Sequence, residues 1–162
     1  MKNQTPEYLQ SELPAIQLFQ NLGYDYLNGS TDDERDSIND VILETRLKDA
    51  IQHLNPWLNE NNRKNAFKEI TSVLASSTME ANERIHKLIS CQEYTPKQVV
   101  DGKETYRGVS FIDYDDIENN DFLIVNQMKF KGLEKNSIPD LVVFVNGLPL
   151  AVIECKSAKA LG

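Results

Sequence analysis

Up to about residue 92 the apolar positions recur at helical spacing, and from Tyr94 onward they alternate or run together as strands do. A first helix is expected from a Ser11 cap through about Asn21, with Leu13, Ile16, Phe19 and Leu22 on its apolar stripe. Pro14 is tolerated in its first turn and Gly23 lies past its end. After the polar stretch Asn28 to Asp33, a longer helix is expected from about Glu34 to Leu54, burying Ile38, Val41, Ile42, Leu47, Ala50, Ile51 and Leu54, with Asn55-Pro56 stopping it. A third, about Arg63 to Ser76, lines up Ala66, Phe67, Ile70, Val73 and Leu74. A fourth, about Met79 to Ser90, lines up Ala81, Ile85, Leu88 and Ile89.

Gln98–Val100 and Tyr106–Ile112 flank Asp101-Gly102, a strong hairpin signal. Asp121 to Phe130 alternates Phe122, Ile124, Asn126 and Met128 against Leu123, Val125, Gln127 and Lys129, and breaks at Gly132. A second hairpin spans 140–156. The expected fold is therefore α+β or α/β, one domain over 1–162. Residues 1–92 are mainly helical and pack on a mixed, mainly antiparallel sheet of about five strands from 93–162.

The second hairpin carries the candidate chemistry. Ile138-Pro-Asp-Leu-Val-Val-Phe-Val-Asn-Gly-Leu-Pro-Leu-Ala-Val-Ile-Glu-Cys-Lys156 sets Asp140, Glu154 and Lys156 at the far ends of two apolar strands. Stranding charge in such a sheet costs on the order of several kcal/mol unless something compensates. A divalent cation is the natural compensation, and it would also activate water against a phosphodiester. Strand parity puts Glu154 and Lys156 on one face and Ile153 and Cys155 on the other. An unbroken two-residue hairpin at Asn146-Gly147 would set Asp140 opposite Ile153, on the wrong face. An odd-length loop or a bulge brings Asp140 level with Glu154 and is expected here.

Composition narrows the setting. A net charge of −8 weighs against autonomous DNA affinity, because phosphate contacts need Lys and Arg. Even so, Lys129, Lys131, Lys135, Lys156 and Lys159 gather near the presumed site, and Lys131, Lys135 and Lys159 are the candidate DNA contacts. Two distant cysteines, Cys91 and Cys155, suggest a reducing compartment, and neither a disulfide framework nor a zinc site. No secretory pattern opens the chain, and no apolar run approaches the roughly 18–20 residues of a membrane span. The expected location is cytoplasmic. The chain stops six residues after Lys156, as an amino-terminal piece of something longer would.

Pro139-Asp140, a hairpin and Glu154-Cys155-Lys156 resemble the PD-(D/E)xK nuclease signature. The wider text is more specific. Residues 41–56, Ile112-Asp-Tyr-Asp115, Asn119-Asn-Asp-Phe-Leu-Ile-Val-Asn-Gln127 and 139–156 are similar, in order, to the amino-terminal domain of the type I restriction enzyme R (restriction and motor) subunit. That resemblance implies a restriction-endonuclease-like core that cuts double-stranded DNA with Mg²⁺, or with Mn²⁺ in its place. It implies an ATP-driven translocase elsewhere in the full-length subunit, and modification and specificity subunits as partners. By the family pattern Asp140 and Glu154 bind metal, the Cys155 backbone carbonyl is a further ligand, and Lys156 orients or activates the attacking water. The chain departs from the family in reading Asn136-Ser137-Ile138 where a basic segment is usual, and it contains no Walker A sequence. A Gln-x-x-x-Tyr motif carried by many relatives would lie past Gly162.

Two other readings stay open: a non-catalytic docking module whose hairpin charges are structural, and a nuclease of the same fold in DNA repair. Glu12 could reach the metal from its helix, or serve only as favourable charge at a helix start. The Cys155 side chain reads as a small core residue.

Overall fold

A computed structural model describes residues 8–31, 34–132 and 135–156. It is an α+β fold in two compact units, one formed by residues 1–43 with 121–162 and the other by 44–120.

The first unit holds α1 (Leu13–Asn21), β1 (Asp25–Asn28), β4 (Phe122–Asn126), β5 (Leu141–Val145) and β6 (Leu148–Ile153). Their sheet has the order β1-β4-β5-β6, with β1 parallel to β4 and the other two pairs antiparallel. Both faces of the sheet are covered, which is why β5 reads Leu-Val-Val-Phe-Val without alternation and is buried throughout. On one face Leu123, Val125, Met128, Val142 and Phe144 pack with Leu43. On the other, Ile124, Leu141 and Cys155 receive Ile16 of α1, flanked by Phe19, Tyr24 and Tyr26. Phe144 is fully buried, and burying a side chain of its kind contributes about 1.5–3 kcal/mol.

The β5–β6 hairpin turns through Asn146 and Gly147, both left-handed (φ +53° and +77°), as a tight two-residue turn between right-twisted strands requires. Val145 pairs with Leu148 and Phe144 with Pro149, but Val143 pairs with Ala151, so Leu150 is the extra residue of a bulge. The expected break in register is present, as a bulge behind a two-residue loop.

The second unit holds α2 (Glu44–Leu54), α3 (Glu60–Thr71), α4 (Thr78–Cys91) and the hairpin of β2 (Lys97–Val100) and β3 (Lys103–Tyr106). Asn59 and Ser77 cap α3 and α4, each accepting a bond from the backbone amide three residues on. Leu47, Ile51, Leu58, Ala66, Ile70 and Phe111 are among its buried apolar residues.

Several sequence expectations are corrected. The helix expected over 34–54 begins only at Glu44. In the stretch before it, Arg35 donates to the Asp40 carbonyl, Ile38 accepts from the Lys131 amide, and the Leu43 amide donates to the Gly147 carbonyl. Leu43 itself lodges in the sheet core, so tertiary bonds override the helical spacing of Ile38, Val41 and Ile42. Strand β1 falls in and beside a stretch read as polar connection. The segment 107–112 is not strand: the Asn55 side chain brackets the backbone of Ser110, donating to its carbonyl and accepting from its amide. The described strands number six, four in the mixed, mainly antiparallel sheet and two in a separate hairpin, in keeping with the expected α+β class.

Candidate active site

Strands β4 and β5 end side by side, and the candidate groups collect there. Asn126 is paired with Leu141, and one step further the Gln127 amide donates to the Asp140 carbonyl at 3.1 Å. On the other side of β5, Leu141 pairs with Ile153, and the same count outward sets Asp140 level with Glu154. The Cys155 amide then donates to Asp140 Oδ2 at 2.6 Å. A charge-assisted bond of this kind fixes the carboxylate against the β6 backbone. Ser11 Oγ donates to the Lys156 carbonyl at 2.8 Å, so Ser11 ties the end of that strand down and does not cap α1.

Glu12 arrives from the opposite direction. A short π-helical turn, Tyr8–Glu12, leads into α1, and Glu12 stands one turn before Ile16, which is docked on Ile124, Leu141 and Cys155. Residues four apart share a helix face, so the contact that anchors α1 also turns Glu12 toward the strand ends. Only 5% of Glu12 is exposed. Its Oε1 accepts from Asn126 Nδ2 at 2.9 Å and its Oε2 from Gln127 Nε2 at 3.2 Å. Gln127 Nε2 also approaches Asp140 Oδ1 at 3.4 Å, so the carboxylates of Glu12 and Asp140 lie within reach of one amide group. Tyr26 Oη donates to Asn126 Oδ1 at 3.0 Å, which orients the Asn126 amide nitrogen toward Glu12.

The structure thus brings Glu12, Asp140 and the Cys155 amide together, and the register carried one step outward sets Glu154 level with Asp140. Glu154 and Lys156 are exposed at the end of β6. Lys131 and Lys135 are exposed as well, while Lys159 lies outside the described residues. The Cys155 side chain is buried in the sheet core, as its parity suggests. Asn126 and Gln127, read from sequence as two positions of an alternating strand, both donate to the Glu12 carboxylate. The available signal was a pair of adjacent amides closing an apolar strand, where alternation calls for only one polar face.

Among the described residues, no group of three or more His, Cys, Asp and Glu side chains is placed to hold a metal ion. The donors that do gather are the carboxylates of Glu12 and Asp140, hard oxygen ligands of the kind Mg²⁺ prefers. Mg²⁺ characteristically binds through one or two carboxylates plus water and substrate phosphate, without an all-protein cage. The residues present fit that mode.

A family model described as "Type I restriction enzyme R protein N terminus" matches residues 4–161. The chain belongs to this family. It is 36% identical over 157 residues to the "Putative type I restriction enzyme MjaIXP endonuclease subunit" of Methanocaldococcus jannaschii, covering 92% of this chain and 15% of that protein. It is 30% identical over 153 residues to the "Type I restriction enzyme HindI endonuclease subunit" of Haemophilus influenzae, covering 88% of this chain and 14% of that protein. The chain therefore spans only a small part of the length of these relatives. Among the described residues, no helix is long and apolar enough to cross a membrane.

Proposed function

We propose that this chain is the DNA-cutting module of a type I restriction enzyme, a PD-(D/E)xK endonuclease that hydrolyses double-stranded DNA with Mg²⁺, for which Mn²⁺ can substitute. The observation that supports it most is the bulged register of β5 and β6, which sets Asp140 level with Glu154 while the Cys155 amide holds the Asp140 carboxylate. Asp140, Glu154 and the Cys155 carbonyl would hold the cation, with Glu12 as a fourth donor beside them. When bound, the cation would lower the pKa of a coordinated water and offset charge at the scissile phosphate. Lys156, exposed two residues beyond Glu154, would place its ammonium against the attacking water or a phosphate oxygen as charge develops. Lys131, Lys135 and Lys159 would contact the DNA backbone, a sequence-independent contribution that salt screens.

With a net charge of −8, the chain would rely on other parts of the restriction complex to hold DNA. The modification and specificity subunits would supply those contacts, and an ATP-driven motor in the full-length subunit would deliver the duplex, all in the cytoplasm. Asp140→Ala or Lys156→Ala in the full-length subunit, assembled with its partners, is expected to abolish cleavage of unmethylated plasmid and leave ATP hydrolysis intact. Cleavage that persists in either variant would remove the assignment.

A further inference from the structure

Gln127 is the residue at which this site departs from regular strand geometry. In a β-strand, neighbouring side chains point to opposite faces, so Asn126 and Gln127 should diverge. They converge on one carboxylate: Asn126 Nδ2 bonds Glu12 Oε1 and Gln127 Nε2 bonds Glu12 Oε2. The backbone explains how. Gln127 has φ +52°, in the left-handed region that non-glycine residues rarely occupy, and this ends β4 and swings its side chain round to the side of Asn126. Such strain costs on the order of 1–3 kcal/mol and persists where the surroundings hold it.

What the turn achieves is specific. Gln127 holds Asp140 twice, through its backbone amide to the Asp140 carbonyl at 3.1 Å and through its side chain to Oδ1 at 3.4 Å. The same Nε2 holds Glu12, whose carboxylate is otherwise buried against Asn126, itself pinned by Tyr26. Two carboxylates repel one another when no cation lies between them. An amide donating to both keeps them at hand without adding a competing charge.

We infer that Gln127 is a positioning residue for the cation: its amide, aimed by a left-handed backbone, holds Glu12 and Asp140 together so that a divalent ion meets a preformed pair of carboxylates. The inference rests on the cation-site reading above. Hydrogen-bonding partners of ligating carboxylates typically contribute 10–100-fold to metal affinity.

The test is Mn²⁺ binding to the protein without DNA, followed by electron paramagnetic resonance, with a thermal melt in the absence of metal. Gln127→Met keeps the length of the side chain and removes both donors. Gln127→Asn tolerates the left-handed backbone and keeps an amide, but is one methylene too short to bridge both carboxylates. Both variants are expected to bind Mn²⁺ about 10–100-fold more weakly than wild type at temperatures where each is folded, with Gln127→Asn melting closer to wild type than Gln127→Met. A purely structural role would instead lower the melting temperature and leave the affinity of the folded protein unchanged. Either folded variant binding Mn²⁺ as tightly as wild type would overturn the role of Gln127 alone. A wild-type protein that takes up no Mn²⁺ would overturn the cation reading and this inference with it.

Discussion

Asp140 lies one residue outside the Leu141–Ile153 pair, and its Oδ2 accepts the Cys155 amide at 2.6 Å. A side chain at the end of one strand is thereby fastened to the backbone just past the end of the next. The extra residue Leu150 is the cause. Without it, the count from Val145–Leu148 outward would put Ile153 across from Asp140 and leave Glu154 a step away. The hairpin turn and its bulge therefore act together, one closing the ribbon and the other choosing which residue meets the aspartate.

The turn should show its own cost when altered. Asn146 is fully buried, has φ +53°, and its Oδ1 accepts the Asp121 amide at 2.7 Å. Asn146→Ala combines left-handed strain with loss of the acceptor for the part-buried Asp121 amide and is expected to destabilise the protein by about 2–4 kcal/mol. Asn146→Gly removes the strain and keeps only the lost acceptor, a cost of about 1–3 kcal/mol. Urea unfolding measures both; an Asn146→Ala midpoint at the wild-type value would contradict this view of the turn.

The buried carboxylate of Glu12 predicts a cation-dependent gain in stability. A ligand present at a hundredfold excess over its Kd stabilises the folded state by about 2.7 kcal/mol. Wild-type protein should melt higher as Mn²⁺ is added, and Glu12→Ala should lose most of that increment whatever its melting temperature without metal. Equal increments in the two proteins would exclude Glu12 from the site.

Much of this was legible in the residues. The hairpin at Asn146-Gly147 is plain in the residues. Parity alone sets Asp140 opposite Ile153, and only the expectation that the charged groups meet called for the odd-length loop or bulge that brings it level with Glu154. Helices α3 and α4 follow from apolar spacing, although α3 starts at Glu60 and ends at Thr71, short of the expected Ser76, and the Asn59 and Ser77 caps emerge only in the structure. The stretch before Glu44 misled because helical periodicity says nothing of partners distant in sequence: the Gly147 carbonyl and the sheet core claim Leu43. Strand β1 was hidden for a related reason. Asp25-Tyr-Leu-Asn28 is short and half-buried, and parallel pairing with Leu123–Asn126 gives it a place that no local pattern announces. Gly29, just after it, has no room for a side chain, because an added Cβ would come within 2.8 Å of the Asn126 carbonyl oxygen. Gln127 could not be read as a bridge because its role depends on one backbone angle.

Asp113 offers a pH test in the second unit. Bonds from the Asn119 side chain and from the Asp116 and Asp115 amides hold its carboxyl below the usual aspartate range. A carboxyl depressed in the folded state contributes stability above its unfolded pKa, and that contribution is lost as pH falls through the lower folded value. Asp113→Asn should therefore be less stable than wild type at neutral pH, with the gap closing as the pH drops below about 4. Chemical denaturation at pH 7 and pH 3 reads the difference, and a gap that persists in acid would contradict the cause given.

The most direct measurement is crystallographic: crystals soaked in Mn²⁺, with anomalous scattering recorded at the manganese edge. The expected result is a peak at the joined ends of β5 and β6, within the roughly 2.0–2.6 Å typical of hard cations on carboxylate oxygens, touching both Asp140 and Glu154. A peak that touches neither residue, or no peak there at saturating Mn²⁺, would contradict the assignment of this chain as a metal-dependent nuclease.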